Sequence, residues 1–134
     1  MKPDHVTILI GVNDTWRGFD RNDPTTAEQF ESNLRAVLER TVDETGAEIV
    51  LMMPFIVLGV QASSDVMLPD LEGKRAAVRK LAGEFGATLI DLQQVFDKAI
   101  ADGIKPSALS ADGVHPTDDC GHELIAKTWI NTVL

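Results

Sequence analysis

The chain is poor in most of the features that specialise a protein. One cysteine, Cys120, in 134 residues excludes an internal disulfide framework and any site built from several thiolates. Twelve Lys and Arg against 21 Asp and Glu leave a net charge of −9 with no basic cluster, which argues against a nucleic-acid partner and against an anionic membrane surface. No apolar run approaches the roughly 20 residues that span a bilayer. The start, Met1-Lys2-Pro3-Asp4-His5, lacks the pattern of a secretory signal, so the expected location is cytoplasmic. No tandem repeat or linker interrupts the chain. What remains, 44% hydrophobic and 25% charged residues, is the balance of an ordinary globular protein, and the length suits a single domain over 1–134.

The hydrophobic pattern alternates between two kinds of segment. Val6 to Val12 is a nearly unbroken apolar, β-branched run and reads as a strand buried on both faces. Asn13-Asp14 reads as the turn that ends it. Thr25 and Glu28 have capping-box spacing ahead of a helix with Phe30, Leu34, Val37, Leu38 and Thr41 at helical intervals, closed near Gly46. Ile49 to Met53 is a second buried strand stopped by Pro54, and a loop from Gly59 to Pro69 follows. From Asp70, the residues Leu71, Val78, Leu81, Ala82 and Phe85 mark a helix ending at Gly86. Ala87 to Ile90 is a third strand; Val95, Phe96, Ala99 and Ile100 mark a shorter helix. After a loop from Lys105 to Pro116, a last helix is predicted to start at Thr117, with Asp118 and Asp119 in its first turn and Leu124, Ile125, Thr128 and Trp129 as its buried stripe. The order predicts an α/β fold around a parallel sheet with right-handed crossovers.

In such sheets functional groups collect beyond the carboxyl ends of the strands. Two polar clusters fall there: Gly11-Val12-Asn13-Asp14 after the first strand, and Asp112-Gly113-Val114-His115-Pro116 before the last helix. An aspartate three residues before a histidine on a constrained loop can receive the imidazole Nδ1–H and leave Nε2 as a base. Asn13 can present its amide NH₂ to a developing oxyanion, a donor worth roughly 3–4 kcal/mol when removed. Trp16 and Phe19 are placed to wall a pocket. A different chemistry is also open: Asp112, His115, Asp118, Asp119 and His122 are oxygen and imidazole groups that a metal-dependent hydrolase could use, although their spacing matches no known zinc motif.

Gly11-Val12-Asn13-Asp14 resembles the G-x-N-D block, and Asp112-Gly113-Val114-His115 the D-x-x-H block, of the SGNH or GDSL ester hydrolases. Lys2-Pro3-Asp4 and Gly121-His122 are similar to the flanks of those blocks, and the resemblance runs over essentially the whole chain. It implies a three-layer α/β/α, flavodoxin-like sandwich that lacks the family's first two strands and so keeps about three per chain. It implies hydrolysis of small acyl carboxylic esters, nearest the carbohydrate acetylesterase-like branch, with His115 as base, Asp112 orienting it, and Asn13, Gly11 and Trp16 on the oxyanion and substrate side. No cofactor or metal is implied.

The family's first block, Gly-Asp-Ser, carries the nucleophile. No glycine in this chain is followed by aspartate, so that serine has no counterpart. Ser110 and Ser107, in the loop before Asp112, are the candidates to replace it; Ser32 falls mid-helix, and Ser63 and Ser64 in the second long loop. The alternative is a catalytically incomplete member. In either case the first strand is left with an open edge, and the expected partner, besides a small ester, is a second copy joined along Val6 to Val12.

Overall fold

The computed structural model describes residues 2–134. Three parallel strands, β1 (His5–Leu9), β2 (Glu48–Met53) and β3 (Thr88–Asp91), form one sheet in the order β1-β2-β3. Each crossover is helical: α1 (Val12–Asp20) and α2 (Ala27–Thr45) join β1 to β2, while α3 (Ala62–Asp65) and α4 (Leu68–Phe85) join β2 to β3. After β3 come α5 (Leu92–Ala101), α6 (Pro106–Leu109) and α7 (Gly121–Val133).

Alternation along β2 builds the layers. Ile49, Leu51 and Met53 face one way and pack on Phe30, Leu34 and Leu38 of α2 and on Ala77, Val78 and Leu81 of α4. Val50 and Met52 face the other way, toward Phe96 and Ala99 of α5 and the inner side of α7. Because side chains of a strand alternate sides, a run apolar at every position is buried only with cover on both faces. The result is the three-layer α/β/α sandwich. No helix among the described residues is long and apolar enough to cross a membrane.

Several boundaries differ from the sequence reading. The first strand ends at Leu9, not Val12, and it is an edge: it pairs with β2 alone, and Leu9 and Ile10 are 40% and 43% exposed. Gly11, at φ +121, swings the chain out of the sheet, and α1 starts at once, so Asn13-Asp14 is the first turn of a helix rather than a turn. The capping box is formed by Thr26 and Gln29, not Thr25 and Glu28: Thr26 Oγ1 accepts the Gln29 N–H at 3.1 Å and Gln29 Oε1 accepts the Thr26 N–H at 3.0 Å. The second long loop holds α3, and α4 begins two residues before Asp70. The last helix begins at Gly121, because Thr117 spends its hydroxyl proton on the Ala108 carbonyl while receiving the Gly121 N–H. Its stripe is half-buried, with Leu124, Ile125 and Trp129 packed on the cluster of Val50, Met52, Ile90 and Phe96, and Trp129 Nε1 donates to Thr7 Oγ1 of β1 at 2.9 Å. His5 is part of β1, between Glu48 and the Trp129 ring.

Candidate active site

The loop between α6 and α7 is folded by its own side chains. Asp112 Oδ1 accepts the backbone N–H of Val114 at 2.9 Å and of His115 at 2.8 Å, closing an Asx-type turn. Gly113 takes φ +87 within it, where an added Cβ would meet Ser64 Cβ at 3.0 Å and the Val57 carbonyl at 3.1 Å. The other carboxylate oxygen, Oδ2, lies 2.7 Å from His115 Nδ1. One side chain therefore both shapes the turn and holds the ring. Burial opposes the charge on Asp112, but the hydrogen bonds from the His115 backbone and ring and from the Val114 backbone outweigh it and pull its pKa down to about 2. The His115 side chain is 69% exposed. An imidazole held at Nδ1 by a carboxylate and open at Nε2 can take a proton from a hydroxyl.

The loop is pinned from outside by groups on α3 and on the segment after β2. Ser64 Oγ donates to the Asp112 carbonyl, and the Val57 N–H donates to the Gly113 carbonyl at 2.7 Å. Gln93 in turn holds that segment: its side-chain amide both donates to and accepts from the Ile56 backbone, each at 2.9 Å.

The G-x-N-D segment comes to the same place. Val12 and Trp16, on either side of Asn13, pack against the small cluster containing Val114, and the Trp16 and His115 ring centroids are 5.7 Å apart. Asn13 is exposed in the first turn of α1. Gly11 is buried, with Pro54 and the Phe30 ring 3.2 and 3.3 Å from where its Cβ would stand, so its lack of a side chain lets the β1–α1 corner close. The placing of α1 depends on α4: the buried Thr15 donates from Oγ1 to Asp70 Oδ2 at 2.7 Å, and the same oxygen holds Lys74 Nζ at 2.6 Å.

The two candidate replacement nucleophiles fare differently from expectation. Ser110 is fully buried; its Oγ donates to the His115 carbonyl at 2.7 Å and accepts the Gly113 N–H at 2.9 Å. It is a brace of the loop, sealed from any incoming ester. Ser107 is exposed on α6 and lines neither of the two cavities that flank the loop. Among the described residues no three His, Cys, Asp or Glu converge on a possible metal position, so the five acidic and imidazole groups of the sequence reading do not assemble. Cys120 is half-buried against the α5–α7 core.

The Ser64 anchor of the loop and the Thr15–Asp70–Lys74 contacts have no counterpart in the sequence reading. Nothing in the sequence marks Ser64. Lys74 did carry a signal: it interrupts the apolar stripe of Leu71, Val78 and Leu81, with an aspartate four residues earlier, the spacing of a helical ion pair.

Two cavities adjoin the dyad loop. One, of about 320 Å³, lies between α1 and α3 and is lined by Trp16, Phe19, Asp20 and Asp112 among others. The second, of about 240 Å³, is an apolar groove between the end of β1 and the start of α7, with Ile10 and Ile125 on its walls and His122 at its side.

Known proteins resemble this chain over nearly its whole length. An acetylxylan esterase from Geobacillus stearothermophilus is 29% identical over 136 aligned positions, covering 98% of this chain and 60% of its own. Its crystal structure superposes with a TM-score of 0.81 at 30% identity, over 98% of this chain and 59% of that one. Two further structures of that esterase are catalytic mutants, one at a serine and one at a histidine. A GDSL-like protein from Parabacteroides merdae matches with a TM-score of 0.87 and 35% identity, over 97% of this chain and 60% of that one. The chain thus spans about three-fifths of the length of these relatives. The family model for the GDSL-like lipases and acylhydrolases matches residues 1–124, and with the strand-end asparagine block and the Asp112–His115 loop facing one region of the same sandwich, the chain belongs to the GDSL-like lipase/acylhydrolase family.

Proposed function

We propose that this chain forms the base and oxyanion side of a site that hydrolyses small acyl carboxylic esters. In this reading His115 Nε2 takes the proton of an attacking hydroxyl as its oxygen adds to the ester carbonyl carbon. The imidazolium so formed stays paired with Asp112 and passes that proton to the departing alcohol oxygen as the C–O bond breaks. Asn13 donates from its amide to the carbonyl oxygen while that oxygen is negative. The observation that carries the reading is the 2.7 Å contact of His115 Nδ1 with Asp112 Oδ2 on a ring whose other edge is open. The likeness to an acetylxylan esterase favours an acetyl group as the acyl part of the ester.

The nucleophile is the part that this chain does not display: it has no Gly-Asp-Ser, and Ser110 is enclosed. Turnover of p-nitrophenyl acetate by the chain and by His115→Ala tests the proposal. A clear loss in the variant supports it; equal rates in the two overturn it. Labelling with a fluorophosphonate followed by peptide mapping identifies any serine that acts as nucleophile.

A second reading, a catalytically incomplete member that dimerises through its exposed strand edge, draws on one observation for the pairing: β1 has an unpaired outer edge beside the exposed Leu9 and Ile10. Such an edge recruits another strand, and a second copy of this chain is the proposed partner. Sedimentation at micromolar concentration giving a dimer, and a monomer for Leu9→Lys, fits the pairing; a monomer in both overturns it.

A further inference from the structure

We propose that the cavity between α1 and α3 is a subsite for an ammonium group, carried on the alcohol portion of the ester. Its place as the alcohol side rests on the ester-hydrolase reading above; the binding of the cation does not.

The cavity holds about 320 Å³, room for a small onium group. Two aromatic residues, Trp16 and the half-exposed Phe19, line it together with the buried Met67. Two aspartates, Asp20 and Asp112, line it from different elements, and no lining residue is a lysine or arginine. A ring face attracts a cation placed over it, most strongly for tryptophan, and the carboxylates and the net charge of −9 add in the same direction. Arg21 approaches Asp20 only at 3.8 Å with both side chains well exposed, a weak pairing.

The same features disfavour other ligands. An anion meets two carboxylates. A bare metal ion needs several converging oxygens, and no three acidic or imidazole groups converge among the described residues. A hydroxyl-rich ring needs several donors as well as acceptors, yet Ser64 spends its hydroxyl on the Asp112 carbonyl, leaving Gln61, Ser63 and the Trp16 indole N–H as the donors. The wall is mostly apolar, which suits the methylene or methyl groups around an ammonium nitrogen. Asp112 lines the cavity while its carboxylate holds His115, so an ester whose alcohol carries the cation would be tethered beside the base.

The test is an NMR titration of the full chain with choline, with its neutral isostere dimethylbutanol and with a methyl xyloside, read at the two indole N–H signals. Choline is expected to shift Trp16 and not Trp129, which lies by β1, with affinity falling as salt is raised. Dimethylbutanol is expected to bind at least about tenfold more weakly, and Phe19→Ala and Asp20→Asn each to weaken choline by about three- to tenfold; both residues are on the surface. Equal binding of choline and its isostere, tighter binding of the xyloside, or an unmoved Trp16 overturns the proposal. None of these readings needs turnover. Choline binding retained in a chain whose hydrolysis is indifferent to His115→Ala overturns the ester reading and leaves the subsite standing, while His115-dependent hydrolysis with no choline binding does the reverse.

Discussion

Ser64 and Asp112, 48 residues apart in the chain, are joined by a hydrogen bond of 2.5 Å from the serine hydroxyl to the aspartate carbonyl. It fastens the four-residue helix α3 to the loop that carries His115. Removing the hydroxyl leaves that carbonyl without its donor, and an unsatisfied buried acceptor costs about 1–3 kcal/mol. Ser64→Ala is expected to lower the denaturant midpoint accordingly and to reduce any His115-dependent hydrolysis by more than the stability loss alone explains. Ser63→Ala, one residue away and exposed, is the control that leaves the denaturant midpoint unchanged.

Glycine substitutions probe the same loop sterically. At Gly113 a side chain would need a positive φ and would press on Ser64 and Val57; at Gly121 a Cβ would collide with the Leu109 carbonyl and with Pro116. Gly121→Ala is expected to be the more damaging, at about 3 kcal/mol or more, against about 1–3 kcal/mol for Gly113→Ala. Gly83, with open space where its Cβ would stand on α4, is expected to be neutral or slightly stabilised by alanine. Thermal and denaturant unfolding of the three variants gives the ranking.

Acid should loosen the fold through Asp112. Its pKa is lowered from 3.8 to about 2 on folding, so the folded state favours the ionised form. The associated stability is fully present above about pH 4 and is lost as the pH falls through about 2. For a carboxylate 31% exposed the amount is about 1–2 kcal/mol. Asp112→Asn is expected to remove that share of the pH dependence, seen as a flatter plot of unfolding free energy against pH in this window. At neutral pH the same variant is expected to lose most His115-dependent hydrolysis, since the amide no longer enforces the tautomer with Nε2 as base.

The Lys74 ammonium is 1% exposed and has Asp70 as its counter-ion. Burial opposes ionisation of Asp70, and the hydrogen bonds from Lys74 and Thr15 prevail, so its pKa lies below the ordinary value. Taking away Asp70 strands a buried charge, whereas replacing the lysine by an apolar chain of similar length does not. Asp70→Ala is expected to destabilise by about 2–3 kcal/mol, and adding Lys74→Met to recover much of it. Unfolding midpoints of the single and double variants check this. Because α1 rests on this group, the Trp16 indole signal is expected to shift in Asp70→Ala while that of Trp129 stays in place.

The class of fold, the parallel sheet and the Asp112–His115 pair were legible in the linear sequence, because each rests on local physics. Apolar runs at β2 demand cover on two faces, helical stripes such as Phe30, Leu34 and Leu38 demand one, and an aspartate three residues ahead of a histidine can close its own turn. Boundaries set by side chains from elsewhere were not legible: the delay of α7 to Gly121 depends on Thr117 reaching the Ala108 carbonyl, and the exit from β1 at Leu9 depends on Gly11 turning beneath Pro54 and Phe30. Tertiary structure alone decided that Ser110 braces the loop instead of facing a substrate, that Ser64 anchors Asp112, and that Trp16 stands against His115. Those are contacts between segments tens of residues apart, and no local spacing encodes a distance that only the packed sheet and helices create.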